Sequence, residues 1–281
     1  MNGNTLAKSI LQYYCGNCEG ILKETEDNLL LPLIEPCPYC GTLLSNALQR
    51  RPLNQKPKTL LPEFQKASHL PRLTLDIPKL DSILHFFTLN QKICIAGAHT
   101  QKLIERLCMR AQLPPKYGGL GTKVLLIDGA NSSDIYQCVD FAQQYGLDVK
   151  KALHGIFSSR TFTVYQLANF IINELENAIR YHDVKLVVIT NLLYYFTNDP
   201  YLDAREMEQI LKQVIKSLEK IKNCLVIVSL GTTTRFDDMI FKLFSTTIKI
   251  KPHNNALSVD VTSQGRHNCI TLQNDELEKI Q

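Results

Sequence analysis

The sequence predicts an α/β fold, a largely parallel sheet with helices on both faces, preceded by a small cysteine-stapled module. Two observations carry this. From Lys92 onward, unbroken apolar runs alternate with amphipathic stretches of helical length, the pattern of strands buried on both faces and linked by helical crossovers. Ahead of them, four of the nine cysteines form two close pairs, Cys15-x-x-Cys18 and Cys37-x-x-Cys40.

The cysteine pairs come first in the chain. Each is a tight knuckle whose turn aims two sulfurs at one point, and two such knuckles separated by eighteen residues have the spacing of a tetrahedral four-thiolate zinc site. Gly16 and Gly41 suit the turns, and the residues between the pairs have room for a ribbon hairpin. Catalytic zinc keeps an open position, whereas four cysteines close the shell. The reading is therefore a structural Zn2+ held by Cys15, Cys18, Cys37 and Cys40, in a ribbon spanning residues 1–48. So small a module has little core of its own, and the metal supplies much of its folding free energy. Cys94, Cys108, Cys138, Cys224 and Cys269 fall singly in apolar surroundings and read as core residues.

Residues 49–70 are rich in proline and cations and lack sustained periodicity, which marks a linker. The third division, residues 71–281, holds the α/β core. Its strands are "KICIAG", "KVLLIDG", "KLVVITNLL" and "CLVIVSLG"; its amphipathic helices are "LIERLCMRAQL", "SDIYQCVDFAQQYG", "TVYQLANFIINELENAIRYH" and "AREMEQILKQVIKSLEKI". The final runs "TTIKIK", "ALSVDV" and "NCITL" read as shorter edge strands.

Composition narrows the class. A chain of 281 residues, 44% hydrophobic and 21% charged, buries a sizeable core. No apolar run is long enough to cross a bilayer, and the amino terminus lacks a charged-then-apolar leader. The expectation is a soluble, cytoplasmic protein with no membrane partner. A formal charge of +4 permits an acidic partner such as DNA without arguing for one.

The stretch "AGAHTQKL", Ala96 to Leu103, lies between an apolar strand and a helix, where a phosphate-binding loop lies. Such a loop reads G-x-x-x-x-G-K-[ST], with glycines that let backbone N–H groups close on phosphates and a hydroxyl that holds magnesium. Aligned on Lys102, the glycine positions are Ala96 and Gln101, and the hydroxyl position is Leu103. Gly97, Thr100 and Lys102 remain as candidate ATP-binding residues of a degenerate site, with the start of the helix offering a partial positive charge. Hydrolysis is not expected. Binding without it is left open.

The segments "LTLDIPKLDSIL", "PPKYGGLGTKVLLIDGAN", "FAQQYGLDV", "IFSSRTFTVYQL", "VKLVVITNLLYYF" and "CLVIVSLG" follow one another in an order and spacing that resemble the archaeal RadA branch of the RecA-like recombinases. The resemblance runs from Pro71 to Gln281. It implies a RecA-like core of the P-loop NTPase type, ATP bound between subunits of a filament on DNA, and a setting in homologous recombination and DNA repair. The amino-terminal ribbon departs from that family's helical domain. Thr190 stands where the family has the magnesium-supporting carboxylate, Ala130 where it has the water-activating glutamate, and Leu230 with Gly231 where it has a polar phosphate sensor. Losing a general base alone typically removes a factor of about 10²–10⁴.

The DNA-facing loops that the resemblance implies are reduced to single cations, Arg205 and Arg235. Linker cations, Arg50, Arg51, Lys56, Lys58, Lys66 and Arg72, are denser, and read either as a solvated charge run or as a DNA-touching arm. Phe64 and Ala67 stand where RadA-like proteins carry an F-x-x-A motif that docks on the next subunit. The leading reading is a hydrolysis-deficient RadA paralogue that binds the active recombinase, itself, or DNA. The alternatives are an active ATPase with unusual site residues and a KaiC-like regulatory or structural subunit outside recombination.

Overall fold

The structure is a computed structural model, and it describes residues 11–15, 21–25, 48–52, 71–199, 203–231, 234–263 and 265–277. The chain divides into two compact units, Met1–Gln65 and Lys66–Gln281. The first contains a three-stranded antiparallel sheet of β1 (Leu11–Cys15), β2 (Ile21–Thr25) and β3 (Leu48–Pro52), with β1 in the centre. Arg50 and Arg51, read from the sequence as linker, lie in β3 opposite Tyr13 and Gln12.

The second unit is built on one eight-stranded sheet. Its strands are β4 (Lys92–Gly97), β5 (Val124–Asp128), β6 (Ile156–Arg160), β7 (Leu186–Thr190), β8 (Leu225–Leu230), β9 (Thr246–His253), β10 (Ala256–Ser263) and β11 (Arg266–Gln273). Their spatial order is β11-β10-β9-β4-β8-β7-β5-β6. From β9 to β6 neighbouring strands run parallel, while β10 and β11 extend the sheet antiparallel. Strands β5, β7 and β8 are buried at every position, as their unbroken apolar sequences require. The last three strands are eight residues each, longer than β4 to β8, not shorter as the sequence indicated. A two-residue turn, Asn254–Asn255, joins β9 to β10, and the pairing of β10 with β11 runs through all eight residues of each.

Helices cover both faces: α1 (Pro78–Leu84), α2 (Thr100–Arg110), α3 (Ile135–Gln144), α4 (Val149–His154), α5 (Val164–Asn169), α6 (Leu175–His182), α7 (Tyr194–Asn198), α8 (Ala204–Lys220) and α9 (Asp237–Phe241). Two apolar clusters result, one on each face. Leu107, Val188, Ile227 and Val259 belong to the first, and Val187, Val228, Leu211 and Val214 to the second. Alternate residues of β7 and β8 thus serve opposite faces.

Two helices depart from the sequence reading. The stretch taken as one helix from Thr163 to His182 is broken by a π-helical segment, Phe170–Glu174, between α5 and α6. There the Asn169 side-chain amide donates to Glu174 Oε1 and that of Asn173 to Asn169 Oδ1. The helix α2 is not amphipathic in place: Leu103 through Arg110 are all buried, between α3 and strands β4, β7 and β8. Its charged residues are accordingly held by internal partners. Arg106 donates to Asp76 Oδ2 at 3.0 Å and Arg110 to the Thr74 carbonyl at 2.8 Å.

Candidate nucleotide site

In an open parallel sheet, ligands bind beyond the carboxyl ends of the strands. The register of this sheet brings four such ends together: Ala96 of β4 lies beside Leu230 of β8, and Asp128 of β5 beside Thr190 of β7. The degenerate loop, Ala130, Thr190, Leu230 and Gly231, scattered through the sequence, therefore share one edge.

Asp128 organises that edge. Its carboxylate is fully buried and accepts Thr190 Oγ1 at 2.9 Å and the backbone N–H groups of Ser132 at 3.1 Å and Ser133 at 3.0 Å. Burial by itself would raise its pKa, but the hydrogen bonds from Ser133, Ser132 and Thr190 outweigh it and hold the carboxyl below its ordinary value. As a neutral donor, Thr190 adds no like charge beside Asp128, as a second acid there would. Gly129 lies against the Thr190 carbonyl so closely that a Cβ would come within 2.5 Å of it.

The loop after β4 is equally committed. Gly97 has φ +101°, and a Cβ there would sit 2.0 Å from the Ile250 carbonyl. A glycine is thus required by the close approach of β9. The next N–H, of Ala98, donates to that same carbonyl at 2.9 Å. His99 is exposed in the left-handed region, φ 57°, and Thr100, 7% exposed, begins α2. Gln101 folds back along the helix, donating Nε2 to Glu105 Oε1 at 2.8 Å and accepting Ser132 Oγ at 3.2 Å. Asn191 Nδ2 reaches the same Ser132 hydroxyl at 3.0 Å, while its backbone N–H donates to Ser229 Oγ. A continuous polar chain, Glu105–Gln101–Ser132–Asn191–Ser229, crosses the strand ends. Burial raises the Glu105 carboxyl above its ordinary pKa, opposed by hydrogen bonds from Gln101 and Asp134.

A magnesium–nucleotide needs converging free N–H groups, a lysine on the phosphates and a hydroxyl on the metal. These residues do not fit that group. The Ala98 N–H is taken, and Leu103 at the hydroxyl position is 2% exposed within the apolar core. Lys102 lines a cleft of about 190 Å³ with Gln137, Asp140, Phe141 and Gln144, on the α3 side of its helix. Leu230 is buried and Gly231 offers no side chain. Among the described residues, no group of three or more His, Cys, Asp or Glu is placed to hold a metal ion.

The remaining sequence-derived residues lie elsewhere. Arg205 is exposed in the first turn of α8, and Arg235 is exposed with its guanidinium 4.8 Å from the Phe236 ring centre. Phe64, Ala67, Cys18, Cys37 and Cys40 lie outside the described residues; Cys15 ends β1, and its side chain is likewise outside them. Of the single cysteines, Cys94, Cys108, Cys138 and Cys224 are buried, and burial pushes the thiols of Cys138 and Cys224 up to about 12. Cys269 is exposed, contrary to the core assignment, because β11 is the edge strand and only its Leu272 is buried. Sequence reasoning missed Glu105, Ser132, Asn191 and Ser229. No motif spacing links them, although a glutamate in an apolar helix pattern was a visible signal.

Asp128→Asn tests the buried anion. A carboxyl held below its ordinary pKa in the folded state lends stability that is present above the unfolded-state value and lost as pH falls through the folded one. The variant should therefore lose about 2 kcal/mol at pH 7, with the gap from wild type closing under acid. Urea unfolding from neutral to acidic pH checks this, and a gap that widens in acid refutes it.

Comparison with known proteins follows the same lines. The sequence model of the Rad51 family matches residues 95–239, 145 of the 281 residues, and so just over half of the chain. The DNA repair and recombination protein RadA of Metallosphaera sedula is 28% identical over 145 residues, covering 50% of this chain and 44% of that protein. The chain thus spans less than half the length of that relative. The matched span begins in β4 and ends in α9, taking in every parallel strand from β4 to β8 and the whole polar edge. By this match and by its RecA-like sheet, the chain belongs to the Rad51 family.

Proposed function

We propose that this protein is a hydrolysis-deficient RadA paralogue that acts in homologous recombination and DNA repair by binding an active recombinase. The supporting observation is the polar chain from Glu105 to Ser229, which ties side chains together where a nucleotide's phosphates and their metal would need free donors. Family membership supports the setting, since members of this family act in recombination and repair. The name of the Metallosphaera relative states the same setting for that protein. Among the described residues no helix is long and apolar enough to cross a membrane.

With Leu103 in place of a hydroxyl and Thr190 in place of a carboxylate, these positions supply no magnesium ligand; with Ala130 in place of a glutamate, that position supplies no base for water. Removing both contributions leaves no useful rate. Purified protein should turn over ATP at background, and Lys102→Ala should not lower it. A magnesium-dependent rate that Lys102→Ala abolishes would establish the active-enzyme reading instead.

The amino-terminal unit supplies recognition on this reading. Its two cysteine pairs hold one structural Zn2+ per chain through Cys15, Cys18, Cys37 and Cys40. Metal analysis should find about one zinc, lost when Cys37 and Cys40 are both replaced by serine; retention of the metal refutes the assignment.

The partner contact is assigned to Phe64 and Ala67, which dock on a recombinase core. Truncating such an aromatic anchor typically costs about 2 kcal/mol or more, some thirtyfold in affinity. Phe64→Ala and Ala67→Glu should each weaken binding to the host's active RadA without changing zinc content or melting. Variants that bind like wild type would show the four-residue pattern to be a coincidence. DNA contact through Arg205, Arg235 and the linker cations is the weaker part of the proposal, because each loop that the resemblance implies to face DNA keeps a single cation.

A further inference from the structure

The end of the sheet opposite the polar edge carries an unexplained concentration of positive charge. Lys92 is the first residue of β4, Lys185 immediately precedes β7, Lys123 immediately precedes β5, and Lys222 lies just before β8. These four strands are consecutive in the sheet. At about 4.8 Å between strands, the lysines form a row spanning about 15 Å. Register places Lys123 and Lys185 side by side, since the residues that follow them, Val124 and Leu186, are paired.

Between the start of that row and the carboxyl-terminal ends of α6 and α8 lies a cleft of about 390 Å³. Arg180, Lys185, Lys220 and Lys222 line it, all exposed. Lys92 points its ammonium at the Ile221 carbonyl on the cleft wall, at 3.5 Å. Helix carboxyl ends attract cations, which accounts for Arg180 and Lys220. It does not account for Lys123, Lys185 and Lys222, which precede strands. Like charges on neighbouring strands destabilise a sheet, and neither Lys123, Lys185 nor Lys222 is neutralised by an ion pair among the described residues.

We propose that this cleft is a docking surface for an acidic polypeptide segment carrying an aliphatic anchor. The floor of Ile179, Val184 and Ile221 is apolar and takes an aliphatic side chain. Glu176 and Asp183 on the rim repel a uniformly charged phosphodiester chain but are accommodated by a peptide whose charges are spaced. Three of the four lining cations are lysines, compact charges that pair with single carboxylates, rather than the arginine forks that suit phosphate. The surface lies across the sheet from the polar edge and requires nothing of a nucleotide.

The test uses the full-length protein and a fluorescein-labelled peptide of repeating Glu-Asp-Leu-Glu, with labelled oligothymidylate of equal charge as competitor class. At about 0.15 M salt, where long-range attraction is screened, the peptide should bind more tightly than the oligonucleotide. Lys185→Glu combined with Lys222→Glu should weaken peptide binding at least about tenfold, while Lys185→Arg with Lys222→Arg should retain it. Both positions are exposed, so melting should be unchanged; if the glutamate pair melts early, the corresponding alanine pair replaces it. Oligonucleotide binding as tight as the peptide's and lost in the same variants would overturn the proposal in favour of a nucleic-acid surface. Failure of the peptide to bind, or binding indifferent to both substitutions, overturns it outright. Because ATP turnover is not read, the outcome is independent of the nucleotide-site proposal.

Discussion

The placement of α2, and with it the polar edge, depends on one buried guanidinium. Arg106 is fully inaccessible, and a charge so placed is tolerated only when its donors are met. They are met by groups far apart in sequence: the Asp76 carboxylate and carbonyl, the Tyr145 hydroxyl and the Leu277 carbonyl. One turn on, Arg110 donates to the carbonyls of Thr74 and Tyr117. The segment before α1 is held from its own side, where Asp81 accepts the N–H groups of Leu75 and Ile77. The loop at the amino end of α2 cannot shift unless these pairings shift with it.

A second constraint operates at the strand ends. A parallel sheet leaves polar groups at its carboxyl edge, and a buried polar group without a partner is costly. In open parallel sheets this is also the edge at which ligands bind. Here Asp128, Thr190, Gln101, Ser132, Asn191 and Ser229 bond to one another and to one oxygen of Glu105, whose Oε2 is left buried without a partner. A single substitution would leave an orphan. Gln101 and Thr190 are therefore best understood together, as members of the same polar edge.

The two ends of the sheet differ in chemistry. The carboxyl end is a hydrogen-bonded network, whereas the amino end presents lysines on consecutive strands, of which Lys92 meets the Ile221 carbonyl and Lys123 the Phe157 ring. Folding accounts for most of the first, because all but the Glu105 Oε2 end of that chain is bonded within it. It does not account for the second, whose charges oppose one another until something anionic arrives.

Much of this was legible in the sequence. Unbroken apolar runs fix strands buried on both faces, and the order of segments fixes family and core fold, because both depend on local pattern. The departures at Gln101, Leu103, Ala130 and Thr190 are visible as residue identities. What those residues do was not legible. That Gln101 accepts from Ser132, that Thr190 donates to Asp128, and that β9 passes close enough to Gly97 to demand a glycine all follow from contacts between positions about 30 to 150 residues apart. The lysine row is the same case: four lysines scattered from Lys92 to Lys222 become neighbours only through the strand order β4-β8-β7-β5. The sequence by itself determined which elements form, since propensity and periodicity are local. The tertiary structure decided which polar groups meet, since strand order and register are set by packing the whole sheet.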